Sequence, residues 1–95
     1  MNITLKINNE EKIFSSGFVS TRKLKKALAL TKDMDKITTN ADAAFDILAE
    51  FILELYNNQF TIDELLDGYP ANEFFKKAIE DLQSIVGDFN LSLGN

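Results

Sequence analysis

Two charged constellations have the residue types and spacing that chemistry would need. Asp42, Asp46, Glu50 and Glu54 recur every fourth residue, and on a helix that spacing stacks four carboxylates along one face. Grouped carboxylates are the material of a divalent-cation site or a general acid–base pair. Arg22, Lys23, Lys25 and Lys26 crowd four cations into one short stretch, the material of a surface for phosphate or for an acidic partner. A third candidate, Asp63 with Asp67-Gly68, looks like the opening of a calcium loop. Counted from Asp63, however, position 3 is Leu65 and position 12 is Phe74, where the loop requires oxygen ligands, so that reading fails.

The rest of the composition weighs against catalysis. There is no histidine and no cysteine, which removes the commonest general base, the commonest transition-metal ligand and any disulfide or thiolate site. Like charges four residues apart cost about 0.2–0.5 kcal/mol per pair on a helix, but without a histidine the acidic stripe reads as a solvated or interface stripe, not a metal or catalytic centre. The basic cluster contains a single arginine and no interleaved aromatic residue, in a chain with a pI near 4.6. That is not the electrostatic footprint of a nucleic-acid binder. A protein-docking patch formed by Arg22, Lys23, Lys25 and Lys26 is the functional reading, and a plain solvated helix face the bland one. No glycine-rich phosphate loop, nucleophile elbow or catalytic carboxylate pair is present. The expectation is a non-enzymatic protein with no cofactor and no metal that binds neither nucleic acid nor membrane.

These residues must be held by some scaffold. Ninety-five residues with 45% hydrophobic content and eight phenylalanines are enough for one globular domain. Met1 leads straight into a polar, alternating strand, which is not a signal peptide, and the absence of cysteine fits an intracellular protein. The net charge of −5 conceals a division. Residues 1–40 carry eight basic and four acidic residues, a balance of +4; residues 41–95 carry two basic and eleven acidic, a balance of −9. Such a split can be satisfied within one fold, and it can also favour head-to-tail association of copies or a partner of mixed charge.

The elements follow from periodicity. Asn2 to Asn8 alternates, with Ile3, Leu5 and Ile7 on one side, as in a half-buried strand. Asn8-Asn9-Glu10 is a turn, and Lys12 to Ser15 returns as a second strand with Ile13 and Phe14 on opposite faces, giving a hairpin over residues 2–15. Two strands alone are marginal in water, so the hairpin must lie on helices. The first helix spans residues 20–30, capped by Ser20. Three of its cations fall near the first turn, where the helix dipole disfavours them. Residues 31–40 read as a mobile loop. The longest apolar run, Ala41 to Tyr56, forms a central helix over 41–57, about 24 Å long, capped by Thr39. It is too short and too charged to span a bilayer. Thr61 and Glu64 form a capping box with Phe60 and Leu65 as its hydrophobic staple, opening a short helix over 61–67 that stops at Gly68 as its C′ residue. Pro70 starts the last helix at its first position. That helix runs over 70–87, ends at Gly87 and leaves a flexible tail over 88–95. The predicted fold is α+β and mainly helical, a single domain with an N-terminal β-hairpin and about four helices.

Two stretches, Phe18-Val19-Ser20-Thr21-Arg22-Lys23-Leu24-Lys25-Lys26-Ala27-Leu28 and Asn58-Gln59-Phe60-Thr61-Ile62-Asp63-Glu64-Leu65-Leu66-Asp67-Gly68, resemble the tail assembly chaperones of long-tailed siphophages that infect Gram-positive bacteria. The second is preceded by a helix of the AEFILELY kind, and the order of elements matches over roughly residues 2–87. The resemblance implies a non-catalytic chaperone that coats the tape measure protein, keeps its hydrophobic helices soluble, helps recruit the major tail protein and associates with copies of itself. It implies action in the cytoplasm of the infected or lysogenic host, absence from the mature virion, and an extent similar to the short form of a family that often has a frameshifted longer one. The alternatives are a small phage or bacterial adaptor that binds one protein, and a regulator that uses the basic helix.

Overall fold

A computed structural model describes residues 1–32 and 40–93. Strands β1 (Asn2–Ile7) and β2 (Glu10–Ser15) form an antiparallel hairpin with Ile7 opposite Glu10. Asn8 and Asn9 make the two-residue turn with φ of 54° and 66°, the left-handed pair that matches the twist of the strands and that asparagine tolerates. The second strand therefore begins at Glu10, two residues before the hydrophobic pattern predicts. Ile3 and Leu5 are buried, while of β2 only Phe14 turns inward and Ile13 faces solvent.

Among the described residues four α-helices follow: α1 (Thr21–Lys32), α2 (Ala41–Leu55), α3 (Ile62–Gly68) and α4 (Phe74–Leu93), the last entered through a 3-10 turn, Ala71–Glu73. The architecture is the expected α+β hairpin with helices. Buried apolar side chains from the hairpin and all four helices form one cluster, with Leu5, Leu48, Ile52, Leu55, Tyr56 and Leu65 at its centre.

Several boundaries differ from the sequence reading. Helix α1 continues to Lys32, past Leu30; residues 33–39 of the expected loop lie outside the described residues. The cap of α2 is Asn40, not Thr39, which also lies outside them: the Asn40 side chain accepts from the amides of Asp42 and Ala43 at 3.1 and 3.2 Å. The end of α2 is set by Asn57 and Asn58, both at positive φ. Their amides bond back to the carbonyls of Glu54 and Leu53 at 3.0 and 2.8 Å, which satisfies the last turn's carbonyls and turns the chain out of the helix two residues earlier than expected. The capping box of α3 is present, with both Thr61–Glu64 hydrogen bonds made. Pro70 precedes the 3-10 turn as its cap and is not the first residue of α4. Gly87 does not end α4, which runs on to Leu93. Gly17 is the glycine with positive φ among the described residues, so Gly87 forms no left-handed stop. The expected tail therefore starts as helix, and residues 94–95 lie outside the described residues.

Gly68 is also not the left-handed stop the sequence suggests. It is the last residue of α3, and a Cβ there would stand 2.8 Å from the Lys6 carbonyl oxygen and 3.1 Å from the Lys6 amide nitrogen. Helix α3 lies directly against the β1 backbone, and only glycine permits that approach.

Candidate functional site

The fold separates the four cations of α1 by destination. Lys23 reaches across to the C-terminal end of α2, where its ammonium donates to the Leu55 carbonyl at 3.1 Å and to the Asn57 side-chain oxygen. Lys26 pairs with Glu54 at 2.8 Å. Arg22 and Lys25 are exposed and have no ion pair among the described residues. The unfavourable cation in the first turn of α1 thus finds its partner at the negative end of a different helix. The expected docking face is half structural joint and half open charge.

That joint belongs to a larger knot. The Asn57 side-chain amide donates to the Ser16 carbonyl at 3.1 Å, and the Gln59 side-chain amide donates to the carbonyls of Ser15 and Tyr56 at 2.7 and 2.8 Å. Phe60 packs against Phe14 with tilted rings, ring centres 5.0 Å apart, and its ring centre lies 6.0 Å from that of Tyr56. The turn after α2 therefore ties the end of the hairpin, the start of α1 and the end of α2 together.

On α2 the carboxylates form the solvent-facing crest. Asp42, Asp46 and Glu50 are exposed, and Glu54 is the member that pairs with Lys26. Among the described residues no group of three or more acidic side chains is close enough to hold a metal ion. Apolar walls flank the crest. On one side Ala49, Leu53 and Ile62 line a shallow groove of about 260 Å³ whose rim carries Asp46 and Glu50. On the other, Leu30, Ile47 and Phe51 line a groove of about 230 Å³ between α1 and α2. Near the start of α4, Phe45 packs on Phe74 and Phe75 with ring centres 4.5 and 6.1 Å apart, and Phe75 remains 44% exposed. Phe18, just ahead of α1, is 87% exposed. A cleft of about 610 Å³ beside β1 carries charges of both signs, including Lys6, Glu11, Asp67 and Glu73.

One buried polar group escaped the sequence reading. Asp81 on α4 is 5% exposed and accepts from the Tyr56 hydroxyl at 3.0 Å and from Lys77 at 3.0 Å. The signal was present: Asp81 falls on the apolar stripe of Phe74, Ala78 and Ile85, with Lys77 one turn earlier, and a carboxylate on a buried stripe implies a buried partner. Burial pushes the Tyr56 hydroxyl above the usual tyrosine range, and the charge and hydrogen bond of Asp81 push it further. Tyr69 is also raised, by burial first and then by the charges of Glu73, Asp81 and Glu80. Tyr56, Asp81 and Lys77 pin α4 to the end of α2.

The arrangement offers protein-sized surfaces: open cations on α1, an exposed phenylalanine ahead of it, and an acidic crest between apolar grooves on α2. Compared with known proteins, residues 1–90 match the model of a family described as phage tail chaperone protein. No curated protein and no solved structure matches the chain.

Proposed function

The chain belongs to the phage tail chaperone family, and from that premise we propose that it is a tail assembly chaperone for the tape measure protein of a siphophage. The family match over residues 1–90 carries the reading. In this role the chain binds hydrophobic helices of the tape measure protein as they are made, keeps them soluble, and helps bring major tail protein subunits to them. It acts in the host cytoplasm, without a catalytic step, and leaves before the virion is complete. No described helix is long and apolar enough to cross a membrane.

The surface chemistry supports the role. A helical partner with an apolar stripe needs apolar side chains held on a rigid face, and the Phe45, Phe74 and Phe75 cluster, with Phe75 half exposed, supplies one. A long helical rod needs many chaperone copies along its length, each making a modest contact. Arg22, Lys23, Lys25 and Lys26 remain the proposed docking face to partner or copy, with Arg22 and Lys25 as its accessible half.

Co-expression with the tape measure protein encoded nearby tests the role. The expected result is a soluble tape measure protein that co-purifies with many copies of this chain. A tape measure protein that stays insoluble in the presence both of this chain and of any downstream-fused longer form would overturn it.

A further inference from the structure

We infer that the outer edge of β1 is a docking site for an extended, basic segment of another protein, added as a third strand beside Thr4 in the cleft that Asp67 and Glu73 flank. The ligand is a strand and not a helix, so the site is independent of the tape measure role.

The hairpin register fixes which backbone groups face outward. Ile7 and Glu10 close the two-residue turn, so they exchange both hydrogen bonds, and the pairs alternate from there. Leu5 with Lys12 and Ile3 with Phe14 bond inward. Asn2, Thr4 and Lys6 turn their amides and carbonyls away from β2, and Glu11, Ile13 and Ser15 do the same on the far edge. Two other contacts agree with this phase. It is the Lys6 amide and carbonyl that α3 approaches at Gly68, and it is the Ser15 carbonyl that accepts from the Gln59 side chain at 2.7 Å. The two edges are not equally open. Glu10, Glu11 and Lys12 put charges along β2, a common guard against strand pairing, and Gln59 occupies its end. On β1 the Lys6 position is closed by Gly68. Asn2 to Thr4 carries no charged side chain, and the outward amide and carbonyl of Thr4 have no hydrogen-bond partner among the described residues.

The open stretch faces a cleft of about 610 Å³, whose lining includes Asn2, Thr4, Tyr69 and Pro70. An added strand needs only about 4.8 Å from its neighbour. Charge selects the occupant. Glu11, Asp67 and Glu73 line the cleft with no ion pair among the described residues. Of the two lysines there, Lys77 is held by Asp81 at 3.0 Å, which leaves Lys6 as the open one. Three open carboxylates against one open ammonium make the cleft negative, so it favours lysine or arginine on the incoming segment. Main-chain bonds to Thr4 supply the attachment, and the acidic walls supply the choice of sequence. Because Gly68 closes the edge at Lys6, only about three residues of the segment can pair, and with so few net hydrogen bonds the binding is weak.

Amide NMR of the full chain tests this with three capped peptides of about six residues, the length of an ordinary strand. One alternates valine and lysine, one alternates valine and glutamate, and one is the lysine peptide N-methylated throughout, which has the charge but no backbone donors. The lysine peptide is expected to shift the Asn2 and Thr4 amide signals and to slow hydrogen exchange at Thr4 about tenfold when about nine-tenths of the sites are filled. The other two peptides are expected to do neither. Thr4→Pro removes an outward donor and no hairpin bond, so it should lose the peptide while the Leu5 amide stays protected. D67K/E73K leaves the strand edge untouched, and it should weaken the lysine peptide by roughly tenfold and bind the glutamate peptide instead. This second variant and the N-methylated peptide decide the matter even if Thr4→Pro unfolds. Absence of Thr4 protection by the lysine peptide, or equal binding of the glutamate or N-methylated peptide, would overturn the inference. So would Thr4 protection that rises with protein concentration alone, which would give the edge to a second copy.

Discussion

Lys23 shows what a single residue type can and cannot reveal. By sequence it is one of four cations on α1, placed where the helix dipole opposes it. In the fold its ammonium donates to the last-turn carbonyl of α2 and to Asn57, so a local cost of a few tenths of a kcal/mol meets a charge-assisted bond at a helix C-terminus worth about 1 kcal/mol. Spacing tells which cations are neighbours; it does not tell where a flexible side chain ends. Lys23→Met is expected to lower stability by about 1 kcal/mol, a Tm loss of roughly 4–8 °C for a domain of this size, measurable by a circular dichroism melt. Tyr56 carries a second prediction. Its hydroxyl is pushed up by burial and by Asp81, so the folded state holds the proton more tightly than the unfolded chain does. The stability this represents is complete below the unfolded tyrosine pKa of about 10 and is lost as pH rises above it. Denaturant titrations of the wild type should weaken above about pH 10 by up to about 1.4 kcal/mol per pH unit from this group. Tyr56→Phe should show the smaller slope left by the other titrating groups. The partner of Tyr56 was legible only in outline: an aspartate on an apolar stripe demands a partner, but which hydroxyl meets it depends on how α4 crosses α2.

At the scale of elements, the two helical glycines of the C-terminal half separate what sequence patterning reads from what it misses. Gly68 and Gly87 both follow an apolar-periodic run, and both look like helix stops. Neither takes the left-handed conformation. Gly68 is needed because α3 rests on the β1 backbone, where a Cβ would stand 2.8 Å from the Lys6 carbonyl. Gly87 sits in mid-helix, where a Cβ would meet nothing within 4 Å. The same substitution should therefore act with opposite sign. Gly68→Ala is expected to destabilise by about 1–3 kcal/mol, because backbone must move, and Gly87→Ala to stabilise by about 0.5–1 kcal/mol. Paired denaturant midpoints check both. Elements whose determinants are local were legible in advance: the Asn8-Asn9 turn, the Thr61–Glu64 box and the alternation of Ile3, Leu5 and Ile7. Close approach between elements distant in sequence was not, because nothing near Gly68 in the chain mentions β1. The shift of the α2 cap from Thr39 to Asn40 has another origin, since adjacent residues both have capping side chains and only backbone geometry chooses between them.

At the scale of the whole molecule, the division of charge between the two halves has two uses that mutation can separate. Part of the positive charge of α1 is consumed within the fold, by Glu54 and by the end of α2, and part remains open. Reversing the consumed part, K23E/K26E, sets new carboxylates against the negative end of α2 and against Glu54. Two lost favourable contacts and two new repulsions of a few tenths to about 1 kcal/mol each should lower Tm by roughly 10 °C. Reversing the open part, R22E/K25E, removes no hydrogen bond or ion pair among the described residues and adds carboxylates in the N-terminal half of α1, the end the dipole favours for negative charge. Its Tm should equal that of the wild type or rise slightly. If the open cations serve docking, the consequence appears elsewhere: R22E/K25E should lose co-purification with the proposed tape measure partner while remaining well folded. K23E/K26E, assayed well below its reduced Tm, should retain it, since Arg22 and Lys25 are intact. Melting and co-purification on the two double variants thus form a crossed pattern that neither a solvated basic face nor a uniformly functional one would give. A solvated face predicts no docking loss from either variant, and a uniform one predicts equal docking loss from both.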